Sequence, residues 1–202
     1  MKKPFVIGVT GEFGSGKSTV SRLLGRRGFR VLDADGIAHD LLKKNRACAR
    51  EISEAFGPDV VRGGEIDRVL LAQRVFGSPR ALRQLERILH PRIRVEVVKA
   101  IRKSGKGFVV IDAPLLIEAG WTDLVDHVIV VRANRSLQGK RLALRMGITR
   151  AEVNRRLRRQ LPVREKCRFA DKVIDNRGSL ADLDRQVKEV LKDIKMSVRQ
   201  VR

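Results

Sequence analysis

A glycine-rich segment near the amino terminus constrains this chain more than any other feature. Residues 11–18 read Gly-Glu-Phe-Gly-Ser-Gly-Lys-Ser, which fits the phosphate-binding pattern G-x-x-x-x-G-K-S/T. A β-branched apolar run precedes the segment at residues 5–10, and apolar residues at helical spacing follow it. A strand, a glycine loop and a helix N-terminus in that order surround a polyphosphate with backbone N–H groups. The sequence therefore predicts a nucleotide-binding site at the start of an α/β domain.

The expected contacts of this phosphate loop come from its backbone and from two of its side chains. Glycines let the backbone bend tightly and approach an anion closely. Lys17 is expected to reach the β- and γ-phosphates of ATP, and the Ser18 hydroxyl is expected to ligate Mg²⁺. The expected ATP-binding residues are Gly11, Glu12, Phe13, Gly14, Ser15, Gly16, Lys17, Ser18 and Thr19.

Five apolar runs predict the strands of a parallel sheet, because helical segments alternate with them along the chain. The predicted fold is an α/β, doubly wound, five-stranded parallel sheet of the P-loop NTPase type. Ligands of such sheets gather at the carboxyl ends of the strands. The predicted strands cover residues 5–10, 29–33, 108–112, 127–131 and 172–174.

Two segments interrupt this alternation within a single predicted domain. The first is too long for one crossover helix and predicts an inserted helical subdomain for the acceptor substrate, over residues 36–106, with helices at 36–44, 48–56, 67–76 and 79–103. The second predicts a basic helical lid over residues 135–169, broken at Gly147 and Pro162. The predicted core comprises residues 1–35, 107–134 and 170–202, with a closing amphipathic helix at about 179–195.

The charge of the chain is strongly positive, with a formal net charge of +21. Such a charge favours polyanionic partners, including nucleic acids. Residues 132–168 hold thirteen Lys or Arg and two acids, so about half of the excess lies in the predicted lid. Aromatic residues make up 4% of the chain and tyrosine is absent, so single-stranded nucleic acid would find few stacking surfaces.

Cysteine content and hydropathy indicate where the protein works. Cys48 and Cys167 form neither a C-x-x-C pair nor part of a metal-ligand cluster. No apolar stretch is long enough to cross a bilayer. We therefore expect a cytoplasmic protein with reduced thiols and no membrane attachment.

Aspartates follow two of the predicted strands. Asp33 and Asp35 end the second strand, and phosphoryl transfer to an alcohol needs a carboxylate that orients the hydroxyl and takes its proton. Asp35 is the candidate base and Asp33 the candidate helix cap, although both residues also fit a purely capping role. Asp112 ends an apolar strand and is a candidate partner for Mg²⁺, or equally a turn residue.

Two further pairs of residues share helix faces. His90 and Arg94 are four residues apart, and His90 next to Pro91 fits a structural role at a helix break. Arg141 and Arg145 also share one face, and arginines that close over ATP would neutralise charge on the γ-phosphoryl oxygens. The alternative for these two arginines is a solvated basic face.

Several motifs, in this order and spacing, resemble the dephospho-coenzyme A kinase family along nearly the whole chain. The more specific ones are P-L-L-x-E at 114–118, H-P-x-I-R at 90–94 and A-D-x-V-I-D-N-x-G at 170–178. The family usually has Gly-Gly-Ile before its Gly-Ser-Gly-Lys, whereas this chain has Gly11, Glu12 and Phe13. Glu12 thereby brings a carboxylate near the phosphates or points it to solvent.

The resemblance implies a nucleotide core, a coenzyme-A-binding helical subdomain and a basic lid. It implies that Asp35 and Lys17 match catalytic residues of the family, with Arg141 or Arg145 as the lid arginine on ATP. It places Asn176 in a segment that borders the adenine. The residues expected to bind the acceptor are Asp33, Asp35, His90, Arg94 and Leu115.

The resulting hypothesis is an ATP- and Mg²⁺-dependent kinase that phosphorylates the ribose 3′-hydroxyl of dephospho-coenzyme A. We expect a monomer with ATP and dephospho-coenzyme A as ligands and no dedicated nucleic-acid partner. The alternatives are a nucleoside or nucleotide kinase and a nucleic-acid-binding P-loop protein. A regulatory GTPase is disfavoured because the chain has no N-K-x-D motif.

Overall fold

The computed structural model describes residues 3–133 and 149–200. The chain divides into two compact units, the first made of Met1–Leu32 and Ser104–Arg202 and the second of Asp33–Lys103. Within the described ranges the strands are β1 Phe5–Gly11, β2 Arg30–Asp33, β3 Val61–Arg62, β4 Glu65–Ile66, β5 Phe108–Asp112, β6 His127–Arg132 and β7 Lys172–Asp175. The α-helices are α1 Lys17–Gly25, α2 Ala34–Lys44, α3 Arg46–Phe56, α4 Arg68–Phe76, α5 Pro79–Lys103, α6 Arg150–Leu157, α7 Val163–Lys166 and α8 Leu180–Gln200.

A five-stranded sheet organises the first unit, with the strand order β2-β5-β1-β6-β7. β1 runs parallel to β5 and β6, and β6 runs parallel to β7. The predicted five-stranded parallel sheet is therefore confirmed. Val9 of β1 lies opposite Asp112 of β5, so the phosphate loop and Asp112 leave the same edge of the sheet.

The core of the first unit lies between this sheet and two helices that pack on each other, α1 and α8. Ile7 and Val9 from the central strand are fully buried there, together with Val20 of α1 and Val187 of α8. Burial of these β-branched side chains holds α1, and with it the start of the phosphate site, against the sheet. The closing helix extends to Gln200, five residues beyond its predicted end.

The second unit is built on α2–α5 around its own core, which includes Ile52, Leu71 and Ile88. Its helices begin at polar caps, as Asn45 accepts the Cys48 N–H in the first turn of α3. Sequence patterns missed the β3–β4 hairpin, because two-residue strands are too short to show alternation. Its turn consists of Gly63 and Gly64, which both have positive φ, as a two-residue hairpin turn of this kind requires.

Helix α5 coincides with the predicted helix over residues 79–103. Pro91 lies inside it, so the prediction of a helix break at His90 was wrong. Pro91 is exposed, and the buried side chains Ile88 and Ile93 on either side keep the helix continuous through packing. In the described part of the chain, no helix combines the length and apolarity that crossing a bilayer demands.

Candidate active site

The phosphate loop connects the buried end of β1 to the first turn of α1. A Cβ on Gly11 would lie 2.3 Å from the carbonyl oxygen of Val131, so only glycine fits where the loop leaves the sheet. Gly16 precedes α1 with a φ of 91°, a left-handed conformation that suits glycine. Ser18 is exposed in the first helical turn, and the Thr19 N–H donates to the Gly16 carbonyl. The loop therefore has the strand-to-helix geometry that the sequence predicted.

Lys17 and Asp112 form the ion pair of this site. The Lys17 Nζ lies 2.5 Å from Asp112 Oδ1, and the two side chains are 13% and 8% exposed. The pairing follows from the sheet, because Lys17 follows β1 and Asp112 ends the neighbouring strand β5. Two residues that the sequence assigned to phosphate and to Mg²⁺ are thus direct neighbours.

Asn176 closes the phosphate loop from the side of β7. Its Nδ2 donates to the Ser15 carbonyl oxygen at 2.8 Å. A Cβ on Gly16 would lie 2.0 Å from the same Nδ2, so Asn176 packs directly on this glycine. A cavity of about 440 Å³ lies beside it, and the lining includes Thr19, Arg22, Arg26, Asn176, Gly178 and Ser179.

The Phe13 and Ser15 amides of the phosphate loop have hydrogen-bond partners within the protein. The Phe13 N–H donates to Gln160 Oε1 at 2.7 Å, and the Ser15 N–H donates to the Glu12 carbonyl at 2.9 Å. These two amides therefore point to protein acceptors, although Phe13 and Ser15 are among the expected ATP-binding residues. Ser15 Oγ is buried and has no hydrogen-bond partner within the described residues.

Glu12 is buried, with 4% of its surface exposed, so the interpretation that it points to solvent was wrong. Its Oε1 accepts the Val163 N–H at 3.1 Å, at the start of α7. Lys166, at the other end of α7, is fully buried, and its Nζ lies 2.8 Å from Glu118 Oε1. In the sequence, the unusual acidic residue in an anion-binding loop was the one hint of these contacts. No motif or residue spacing predicted that Val163 or Lys166 would take part in them.

Asp33 and Asp35 lie at the start of α2, in the second unit. Asp33 is the N-cap, since its Oδ1 accepts the Asp35 N–H at 3.1 Å. The predicted cap is therefore confirmed for Asp33. Asp35 lies exposed in the first helical turn.

The remaining predicted residues are distributed over both units. His90 and Arg94 are half-buried on α5 of the second unit, one helical turn apart. Leu115 is half-buried in the turn that follows β5 of the first unit. Arg141 and Arg145 lie outside the described residues.

Asp175, the residue before Asn176, has a carboxyl group whose pKa is lowered by its neighbours. A hydrogen bond from Arg177 lowers the pKa of the Asp175 carboxyl, and a second one from Arg132 acts in the same direction against the opposing effect of burial. The Asp175 carboxylate therefore fixes two guanidinium groups at the end of β7. No sequence pattern pointed to this cluster.

Comparison with known proteins gives a consistent family. A family model described as dephospho-CoA kinase matches residues 5–182. A dephospho-CoA kinase of Carboxydothermus hydrogenoformans is 42% identical over 190 residues, which cover 92% of this chain and 92% of the relative. The match spans the phosphate loop, the whole second unit and β7.

Solved structures agree with the sequence comparison. A crystal structure of a protein from Thermus thermophilus superposes with a TM-score of 0.82 at 38% identity, covering 95% of this chain and 98% of that one. A dephospho-CoA kinase from Campylobacter jejuni superposes with a TM-score of 0.62 at 30% identity, covering 94% and 96%.

Proposed function

The chain belongs to the dephospho-CoA kinase family, and from that premise we propose which of its residues perform the reaction. The activity is the ATP-dependent phosphorylation of dephospho-coenzyme A, the last step of coenzyme A biosynthesis. The γ-phosphoryl group passes in line from ATP to the ribose 3′-hydroxyl of the acceptor. Catalysis of such a transfer consists mainly of positioning and of electrostatic stabilisation.

The phosphate loop is the proposed site for the ATP phosphates. The Phe13 and Ser15 amides are bonded within the protein. The proposed donors to phosphate are therefore the amides of Gly14 and of residues 16–18, near the positive end of α1. Lys17 offsets the charge that develops on the γ-phosphoryl oxygens, and its neighbour Asp112 keeps the ammonium at the loop before ATP engages it.

Ser18 and Asp112 are the proposed protein ligands of Mg²⁺. A hydroxyl and a carboxylate supply hard oxygen donors, which suit this ion. Among the described residues no cluster of three or more His, Cys, Asp or Glu side chains could hold a metal. The two oxygen donors of Ser18 and Asp112 fit Mg²⁺, because this ion typically binds through one or two protein oxygens together with substrate phosphates and water. When bound, the ion would neutralise negative charge on the phosphates.

Asp35 is the proposed base for the acceptor hydroxyl. Asp33 is the N-cap of α2, and Asp35 lies exposed in the first turn of the same helix. The carboxylate orients the 3′-hydroxyl and receives its proton as the new P–O bond forms. This assignment rests on the resemblance, in which Asp35 matches a catalytic residue of the family.

The cavity beside Asn176 is the proposed adenosine site. It adjoins Thr19 of α1, which directly follows Ser18 of the phosphate loop. A nucleotide whose phosphates lie in the loop would direct its base toward this cavity. Asn176 would then border the base while it holds the Ser15 carbonyl.

The second unit is the proposed acceptor-binding subdomain. Residues 135–169 are the proposed lid, and its last part is anchored in the first unit by the buried Lys166. His90 and Arg94 share a face of α5 and are proposed to bind dephospho-coenzyme A together with Asp33 and Leu115. Arg141 and Arg145 are the proposed lid contacts to ATP. We further propose a cytoplasmic monomer without a dedicated nucleic-acid partner, since its two ligands are themselves polyanions that account for a basic surface.

The Lys17–Asp112 pair beside the glycine loop carries the assignment of the phosphate site. A coupled assay of ADP release tests the reaction with dephospho-coenzyme A, adenosine and nucleoside monophosphates as competing acceptors. We expect kcat/KM for dephospho-coenzyme A to exceed the others by at least about a hundredfold, roughly 2.7 kcal/mol of transition-state discrimination. Preferred turnover of a nucleoside or a nucleoside monophosphate would overturn the acceptor assignment.

A further inference from the structure

A segment far along the chain is bonded to the phosphate loop at two points. Gln160 Oε1 accepts the Phe13 N–H at 2.7 Å. Three residues later the Val163 N–H donates to Glu12 Oε1 at 3.1 Å. The two contacts involve Glu12 and Phe13. At these positions the dephospho-coenzyme A kinase family usually has Gly and Ile.

Lys166 anchors the same segment in the interior of the first unit. Its side chain is fully buried, and its Nζ donates to the Pro114 carbonyl oxygen at 2.6 Å and to Glu118 Oε2 at 3.1 Å. The Nζ also lies 3.4 Å from Thr10 Oγ1, the last side chain before the phosphate loop. One ammonium group therefore joins the end of β1, the turn after β5 and α7.

Such a buried cation is costly unless charges and hydrogen bonds surround it. Burial lowers the pKa of Lys166, and the hydrogen bond to Glu118 together with the charges of Glu118 and Glu12 opposes that shift. Glu118 Oε1 also accepts the Leu161 N–H at 2.8 Å, so both carboxylates bond to backbone of the same segment. The cluster thus combines charge compensation with two backbone attachments.

We propose that residues 160–166 are a brace for the phosphate loop, with Gln160 and Lys166 as positioning residues for phosphoryl transfer. The inference rests on the proposed function in one respect, that residues 11–19 hold the ATP phosphates. Gln160 fixes the Phe13 amide away from the nucleotide and thereby sets the direction of the neighbouring amides. Lys166 holds the base of the loop and keeps the Glu12 carboxylate compensated and turned toward α7.

The brace predicts a defect that is specific for ATP. Gln160→Ala removes the acceptor of the Phe13 N–H and leaves the buried cluster intact. We expect its KM for ATP to rise at least about fivefold while KM for dephospho-coenzyme A stays within about twofold. Ile194→Ala is the matched stability control. It removes a buried side chain of α8 from the core of the first unit, so it should lower Tm, and it changes no residue of the phosphate loop.

A double variant tests the anchor while removing both charges of the Lys166–Glu118 ion pair. Lys166→Met with Glu118→Gln removes both charges, and the glutamine carbonyl still accepts the Leu161 N–H. We expect a higher Tm than for Lys166→Met alone but a KM for ATP that remains at least about tenfold above wild type. A merely structural Lys166 would instead show KM for ATP recovering together with Tm.

Lys17→Met separates this inference from the proposed function. If Lys17→Met retains wild-type turnover, the phosphate site is misassigned. If Lys17→Met is inactive while Gln160→Ala and the double variant raise KM for ATP no more than Ile194→Ala does, only the brace is overturned. Should the double variant fail to fold, Gln160→Ala decides the matter.

Discussion

Lys17 Nζ lies 2.5 Å from Asp112 Oδ1, across the carboxyl ends of two adjacent parallel strands. Both side chains are largely buried, so each charge depends on the other for compensation. The same pair supplies the cation proposed for the γ-phosphate and the carboxylate proposed for Mg²⁺. Stability and catalysis can therefore be separated by changing one partner or both.

Lys17→Met should lower kcat by at least about a hundredfold, because it removes the charge that offsets the γ-phosphoryl oxygens. It should also cost about 2 kcal/mol of unfolding free energy or more, since the Asp112 carboxylate loses its partner. Denaturant unfolding and the ADP-release assay measure the two effects. Lys17→Met combined with Asp112→Asn should recover stability and remain inactive. Recovered activity in the double variant would exclude the catalytic role of Lys17.

Glu12→Ala should destabilise the first unit by about 1–3 kcal/mol, because the Val163 N–H loses its buried acceptor. Glu12→Gln should cost less, since its amide carbonyl accepts the same N–H. Chemical denaturation of the three proteins measures this order. Because Glu12 faces α7, neither substitution should lower KM for ATP. A lower KM for ATP in Glu12→Ala would mean that the native carboxylate repels the phosphates.

The pKa of Asp175 predicts a stability difference that depends on pH. Hydrogen bonds from Arg177 and Arg132 lower the pKa below its ordinary value of 3.8, so the cluster stabilises the fold above that value. The contribution is lost as the pH falls through the lowered pKa. Asp175→Asn should therefore lower Tm at pH 7. The difference in Tm between the variant and wild type should disappear when the pH falls below the lowered pKa of Asp175.

The control for this titration is Asp40→Asn, because Asp40 is exposed and paired with Lys44 on its own helix. Its Tm should match that of wild type across the same pH range, since exposed pairs within a helix contribute little. A Tm difference for Asp175→Asn that persists unchanged into acid would contradict a charge-based role for Asp175.

The net charge of +21 predicts two kinds of polyanion binding with different responses to salt. ATP and dephospho-coenzyme A should each raise Tm, because they bind the folded state. Their effect should weaken only moderately between about 50 and 300 mM salt, because local hydrogen bonds in the loop are partly shielded. RNA binding, followed by fluorescence anisotropy, should fall steeply over that range through counterion release. RNA affinity that persists at the upper end, without stabilisation by dephospho-coenzyme A, would favour the nucleic-acid-binding alternative.

Sequence patterns predicted much of this fold because its strands are continuous buried runs. Phe108–Asp112 matches its predicted bounds, and β1 and β7 each extend one residue further than predicted. The Asp33 cap was also predicted, since a cap depends on residues two or three positions away. Signals of this kind depend only on residues close together in the sequence, within one strand or at the end of one helix.

The brace could not be predicted in the same way. Gln160 and Phe13 are 147 positions apart, and no periodicity or spacing links a glutamine after one helix to an amide in a distant loop. Lys166 looked like one cation among many in a basic stretch, whereas the structure buries it fully. Such contacts arise from tertiary packing of segments whose local sequences are unremarkable.

Single-turnover phosphoryl transfer by Asp35→Asn tests the proposed mechanism most directly. With both substrates saturating, we expect the chemical step of Asp35→Asn to be at least about a hundredfold slower than that of wild type, because the acceptor hydroxyl loses its base. Substrate dissociation constants should stay within about threefold, since the amide is nearly isosteric. Asp40→Asn is the matched control, because it makes the same substitution at an exposed carboxylate of α2 that pairs with Lys44, and it should leave the chemical step near wild type. A chemical step for Asp35→Asn within about threefold of wild type would contradict the account.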